Sequence, residues 1–366
     1  MERTFMKICQ KVILLCLVFA AGCQRGDRPR MRLGTYPTST LGSTFLEPGR
    51  LGPHGYRFDG RENDGLVYTC RGGHIDVAHV RIAADWTKYL SERSYACLMK
   101  EKSDFSFRLL VEPSKCSVKI EYPPYWDKLT ERQKEKIVRK VSIELGQYLA
   151  FSITTWHEIL TWFGYKCILM LPEYPSAFSW DDSYSNLLGA RIAGDVLRNN
   201  EMEYEEAMAE AIDRELEYLG AQPAKVGEAA SESVRGNWFD GPSLFLVDMR
   251  MRNLDIGLDD GFITPTLVPE ISQCVVVEPQ SYPVPNLGFL ETMRFKVKVE
   301  IKPREWERGK IFRIVNKKSG IRKKRIDPKA DFSTLMAYIH QDAVKKGYKV
   351  FPTGADALKI LTSADQ

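Results

Sequence analysis

An α+β fold, a helical core packed against a small antiparallel sheet in a single domain, follows from three features of the sequence. A helical pattern opens at Thr130 and, past Leu149, turns apolar almost all round as far as Phe163, the mark of a buried helix. Phe105 to Val111 and Ser117 to Tyr122 read as strands flanking the turn Glu112 to Lys115. Phe295, Val297, Val299 and Ile301 alternate with Lys296, Lys298, Glu300 and Lys302, as in a strand with one wet face. Neither GxGxxG nor GxxxxGK[ST] occurs, which argues against a doubly wound nucleotide-binding fold.

The chain opens as a targeting segment. Arg3, Lys7 and Lys11 give a basic start, Val12 to Ala20 an apolar run too short to span a bilayer, and Ala20, Ala21 and Gly22 a small-residue ending before Cys23. This resembles a bacterial lipoprotein signal, which implies cleavage before Cys23 and a lipid on that cysteine. An ordinary secretory signal is the alternative. Gln24 after the cysteine, where Asp would retain the protein, implies the periplasmic face of the outer membrane if the host has two membranes. The expected divisions are a signal at residues 1–22, a lipid-anchored tether and irregular lead-in at 23–60, one α+β domain at 61–345 and a tail at 346–366. The signal's three bases and Glu2 contribute +2 of the chain's +4, leaving about +2, so charge gives no argument for nucleic-acid binding. After Cys23 come Cys70, Cys97, Cys116, Cys167 and Cys274, an odd number without CxxC spacing. Cys70, beside a glycine pair, is expected to be the free one.

Tyr68 to Arg81 is the densest polar stretch. It holds Cys70, Arg71, His74, Asp76, His79 and Arg81 around Gly72 and Gly73, with a helix from Asp76 to about Leu90. Asp76 and His79, three apart, share a face of that helix, which His74 joins only from the preceding turn. Within the buried helix, Thr154, His157, Glu158 and Thr161 form a polar stripe opposite Ile153, Trp156, Leu160 and Phe163. A buried carboxylate there needs partners from elsewhere in the fold. After a short strand at Cys167 to Leu171, Ser179 and Asp182 have the spacing of a capping box, and Asp181 suits a helix N-terminus. Asp182, Ser185, Asn186 and Gly189 line one face of the helix that follows, where Gly189 and Gly194 indicate close approach of another backbone.

Glu203 to Leu219 reads as a solvated helix closed by Gly220. Leu244 to Val247, Met249 to Ile256 and Phe262 to Val268 are strand candidates, with Asp260 and Gly261 as a hairpin turn, so the sheet is expected to come largely from the C-terminal third. Arg322 to Arg325 reads as a solvated basic loop, with anionic lipid headgroups as its alternative partner.

At Cys70 to Arg81, Trp156 to Glu158 and Ser179 to Gly189 the chain resembles a bacterial lipoprotein family known as a domain of unknown function, from about Asp64 to Tyr338. The resemblance implies a single envelope domain and carries no activity. The residues themselves offer three functions. In a metal-dependent hydrolase, His79 and His157 would ligate zinc or another divalent ion, with Asp76, Glu158 or Asp182 completing the set and Glu158 and Arg81 serving the reaction. In a cysteine hydrolase, Cys70 would be the nucleophile, with His157 or His79 as base and Glu158 or Asp76 orienting it. The third is a non-catalytic envelope protein whose polar residues form a buried network or a ligand pocket. In the first case the residues of the three stretches should converge on one cavity.

Overall fold

A computed structural model describes residues 28–57, 60–109, 111–166, 174–199, 202–243, 246–275 and 277–352. The expected signal, Cys23 and the strand expected at Cys167 to Leu171 lie outside the described residues. The fold is α+β, as its sequence predicts.

Three helices make the centre. Helix α1 (Val77–Met99) and α2 (Glu131–Trp162) pack on each other, and α3 (Asp182–Arg198) packs on both. Helix α2 starts at a capping box in which the Thr130 amide donates to Gln133 Oε1 at 2.9 Å and the Gln133 amide to Thr130 Oγ1 at 3.3 Å. Its 32 residues run about 48 Å, the whole length of the core. Gly189 allows the closest approach, since a Cβ there would collide with the backbone oxygen of Val80 in α1. At Gly194 the close neighbour is the side chain of Gln147 in α2, not a backbone.

Strands β1 (Leu66–Thr69) and β2 (Gly73–Asp76) form a hairpin in which Thr69 faces Gly73, and β2 runs directly into α1. The main sheet orders β10 (Lys296–Lys302), β4 (Lys115–Glu121) and β3 (Asp104–Arg108), all antiparallel. Two of its three strands come from the first third of the chain, so the expectation of a sheet drawn mostly from the C-terminal third is corrected. The reason is length. Of the other C-terminal candidates, Leu244 to Val247 lies partly outside the described residues, Met249 to Ile256 shrinks to β6 (Asp248–Met249) and β7 (Met251–Arg252), and Phe262 to Val268 shrinks to β8 (Phe262–Ile263). Strands β5 (Phe239–Asp240) and β9 (Tyr282–Pro283) are the equally short partners of β6 and β8. Asp260 and Gly261 close no hairpin, because β8 pairs with β9 across a long connection. Helices α4 (Tyr204–Tyr218) and α5 (Ala224–Ser233) follow α3. Helices α6 (Gly288–Thr292), α7 (Arg308–Ser319) and α8 (Pro328–Lys345) surround β10 in sequence, and β11 (Lys349–Val350) pairs in parallel with β7.

Residues expected to be a tether are packed from Arg30 onward. The Arg32 guanidinium is buried and pairs with Asp85 and with Glu62, His54 Nε2 lies 2.9 Å from Asp85, and Thr38 and Leu51 are buried. They lack a regular hydrophobic period because they are held by ion pairs and isolated bridges such as Phe45 to Leu66. Among the described residues no helix is long and apolar enough to cross a membrane.

Candidate metal centre

The junction of β2, α1, α2 and α3 gathers one imidazole and four carboxylates. Asp76 ends β2 and caps α1, its Oδ1 accepting from the Ala78 amide at 2.7 Å, while its Oδ2 accepts from the Thr35 amide at 2.7 Å. His79, in the first turn of α1, turns Nδ1 toward Asp76 Oδ2 at 3.3 Å and Asp182 Oδ1 at 3.5 Å. Glu158 comes from the polar stripe of α2, where its Oε2 accepts from the Phe178 amide at 2.8 Å. Asp182 opens α3 and reaches back to accept from the Ser179 amide at 2.7 Å, the half of the capping box that its spacing predicted. Ser179 Oγ does not complete that box. It donates to Asp181 Oδ1 at 2.7 Å, which leaves Asp181 Oδ2 buried without a hydrogen-bond partner.

These groups make two overlapping sets, Asp76, His79 and Asp181, and His79, Glu158 and Asp182. In each set the ligand atoms lie within 4.8 Å of one another. Donors bound at about 2.0–2.1 Å to one tetrahedral zinc ion stand about 3.4 Å apart. The 3.3 and 3.5 Å separations at His79 Nδ1 match that edge. They are poor hydrogen bonds, for Nδ1 is buried with no correctly aligned partner.

The electrostatics set a single imidazole against many acids. Burial alone would depress His79, but Asp76, then Asp182 and Glu158, hold it well above its usual range. Burial, with Asp76 beside it, pushes Asp181 up to about 7 against the opposing pull of His79. Burial, followed by Glu158 and Asp181, holds Asp182 well above the ordinary carboxylate range. Among the described residues no lysine or arginine forms an ion pair with any of the four carboxylates. Arg252 senses the charge of Asp182, yet it gives its guanidinium to the carbonyls of Pro175 and Ala177 at 2.7 Å each.

Two backbone features shape the site. Phe178 has φ of 56°, a left-handed conformation that costs a bulky residue of order 1–3 kcal/mol, and it is this turn that presents the amide bound by Glu158. Gly34 lies against the imidazole. A Cβ there would stand 2.8 Å from His79 Cε1 and 2.9 Å from Nε2, so this position of the N-terminal segment is confined to glycine.

Asp76, His79, Glu158 and Asp182 therefore meet as their stretches predicted. Three other candidates do not join them. His157 is a neighbour of Glu158 on α2, and consecutive helical residues diverge by about 100°, so its Nδ1 meets Glu112 instead. Cys70 is not a free thiol but forms a disulfide with Cys274, which removes it as a nucleophile. Arg81 is buried against Asp64 at 2.8 Å and the carbonyls of Asn63 and Leu51 at 3.0 Å each, a structural anchor for the N-terminal segment. Asp181 was missed as a participant because a helix start explains an aspartate sufficiently. Gly34, Thr35 and Phe178 carry no sequence signal of their role, which arises only from tertiary placement.

His74 stands apart as a core residue. Its Nδ1 accepts from Trp180 Nε1 at 3.3 Å and its Nε2 faces the Gly227 carbonyl at 3.2 Å, the arrangement of a neutral ring. Burial pushes it down to about 4 despite the Gly227 bond. The unfolded chain, with an ordinary value of about 6.5, takes the proton first. This contribution to stability is therefore complete above pH 6.5 and is lost as pH falls toward 4. Between pH 7 and 5 it amounts to about 2 kcal/mol. Urea titrations at both pH values should show His74→Gln losing that much less stability than the wild type on acidification; equal losses would refute the assignment.

The fold and the cluster define an α+β domain built around a buried carboxylate–histidine site. The chain belongs to the family described as protein of unknown function (DUF4056), whose model matches residues 45–256. That span contains all five cluster residues. It begins before Asp64 and ends well short of Tyr338, so β10, α7 and α8 lie beyond it. Comparison with curated proteins and with solved structures found no match.

Proposed function

We propose that the protein is a metal-dependent hydrolase of the cell envelope whose divalent ion, zinc by ligand chemistry, is held through His79 Nδ1 and the surrounding carboxylates. The supporting observation is the convergence, from three distant segments, of a buried imidazole nitrogen and carboxylates at the separations of a coordination shell. Four buried acids face one imidazole; protons relieve part of that burden, as the raised values of Asp181 and Asp182 indicate, and a divalent cation would relieve it further. Such an ion would supply an activated water for attack on a substrate. His79, Glu158 and Asp182 would make the ligand set, and Asp76, whose Oδ2 faces the same Nδ1 at 3.3 Å, would complete it as a further ligand. Asp181, whose Oδ2 has no hydrogen-bond partner, would take the proton of that water.

Metal analysis of the purified chain from Gln24 onward should find about one equivalent of ion, lost in His79→Ala and in Glu158→Gln. Hydrolysis of ester, amide or phosphoester reporter substrates should stop with chelator and return with zinc. Absence of both bound metal and measurable zinc affinity overturns the proposal. One observation favours a second reading, a purely structural network: the amides of Thr35, Ala78, Phe178 and Ser179 already satisfy carboxylate oxygens. Under that reading the same substitutions change only stability.

The envelope location rests on the N-terminal segment and its resemblance to a lipoprotein signal. We propose that Cys23 carries the lipid. A fatty-acid analogue should label the wild-type protein metabolically and fail to label Cys23→Ser; undiminished labelling of that variant would sink the assignment.

A further inference from the structure

The strongest charge asymmetry of the molecule lies outside the family match, at α7 and the loop after it. Residues 304–325 contain ten Lys and Arg against Glu305 and Glu307, a net +8 in a chain of net +4, so the rest of the protein carries −4. Glu305 is buried and accepts from Ser114 Oγ at 2.6 Å, which withdraws it from the surface. Of the bases, Lys323 pairs with Asp331 and Arg325 with Glu300. Arg304, Arg313, Lys317, Lys318, Arg322 and Lys324 are exposed and, among the described residues, form no ion pair. The helix carrying Arg313, Lys317 and Lys318 is held from below by buried Ile311 and Val315, so these three charges stand on a fixed support.

Two exposed apolar side chains bracket this helix in sequence. Trp306, just before it, is 96% exposed, and Ile321, just after its glycine cap, is 67% exposed. An exposed tryptophan among unpaired bases fits the boundary between lipid headgroups and acyl chains, where the ring is apolar and its N–H stays wet. Isolated basic residues would suit any polyanion. Ile321 gives a nucleic acid nothing to bind, whereas it adds buried apolar area at a bilayer.

We infer that α7 and the 320–325 loop form a second membrane contact, docking on the surface of an anionic phospholipid bilayer through Arg313, Lys317, Lys318, Arg322 and Lys324, with Trp306 and Ile321 entering the interface. This contact is independent of the metal centre and of any lipid on Cys23. It would fix one face of the domain toward the membrane.

The test uses the chain from Gln24 onward, which keeps every described residue and carries no lipid. Cosedimentation is measured with vesicles of phosphatidylcholine alone and with 30% phosphatidylglycerol. Binding is expected only with the anionic vesicles and should weaken steeply between 0.1 and 0.5 M salt. The combined Lys317→Glu, Lys318→Glu and Arg322→Glu variant should bind at least ~10-fold more weakly, since each base near the surface contributes several-fold. Trp306→Ser should lose severalfold affinity, and the fluorescence difference between it and the wild type should show a blue shift on binding. Both variants should keep the wild-type melting temperature, because the altered side chains are exposed. Equal binding to neutral vesicles, or binding unaffected by the charge reversals, overturns the inference. So does competition by a short DNA duplex together with full binding of Trp306→Ser, which would identify a general polyanion surface.

Discussion

Saturating the His79 centre with zinc is expected to raise the free energy of unfolding by about 3–4 kcal/mol at ion concentrations 100 to 1,000 times the dissociation constant. The gain depends on which state binds. The unfolded chain scatters Asp76, His79, Glu158 and Asp182 over more than a hundred residues, so the site exists only in the folded protein. Glu158→Gln separates this from a structural network by sign. In chelator the variant should melt at or above the wild type, because it removes one buried charge from an acidic cluster and a Gln oxygen can still accept from the Phe178 amide. In excess zinc it should melt below, having lost a ligand. Destabilisation of equal size in both conditions would instead mean that Glu158 serves packing and hydrogen bonding alone. The zinc increment should also shrink as pH falls below about 7, where Asp181 takes up its proton and the ion competes with protons that His79 and Asp182 bind more tightly than free side chains do. Thermal melts at pH 6 and 8 with and without metal supply both comparisons.

Much of this site was legible in the sequence because burial and periodicity act together. A helix that is apolar on every other face has no inexpensive way to bury Glu158, so that residue announces a partner before the partner is known. Asp76 and His79 at i and i+3, and Asp182 at a helix start, carry the same kind of signal. His157 shows where the argument fails. It reads as part of the same stripe as Glu158, yet adjacent helical residues point about 100° apart, and its Nδ1 meets Glu112 away from the centre. The strands after residue 240 were over-read for a related reason. Stretches such as Met249 to Ile256, which alternate in character, pair only briefly and from Arg252 to Ile256 are buried as an irregular segment held by side chains, with Asn253 donating to Thr266 Oγ1 at 3.1 Å and buried Arg252 reaching carbonyls of the chain before α3. Local propensity sees the apolar content and not those anchors.

Cys70 was misjudged on local grounds, and the correction brings the other large expected effect. Its partner Cys274 lies 204 residues away, with the two Cα atoms 5.1 Å apart. Closing a loop of that length in the unfolded chain removes entropy worth about 5 kcal/mol in the chain-entropy account. The paired variant Cys70→Ser with Cys274→Ser is expected to lose up to that amount. The native fold should survive, because other bonds hold the same region. The Cys70 amide donates to the Gly220 carbonyl at 3.1 Å, the Gln280 amide to the Arg71 carbonyl at 2.8 Å, and Tyr184 Oη to the Gln280 carbonyl at 2.6 Å. The loop so tied begins within the family match and ends beyond it, so the bond fastens the residues after 256 to the turn between β1 and β2. Urea unfolding of the oxidised wild type, the reduced wild type and the double-serine variant gives the comparison. Cys97 and Cys116, buried and free, serve as internal controls that alkylate only on unfolding. The two forms that lack the bond should unfold at similar, much lower urea concentrations than the oxidised chain. A difference of less than about 1 kcal/mol would show that the denatured ensemble is already restricted by other means, and recovery of Cys70 as a free thiol in the mature protein would remove the bond altogether.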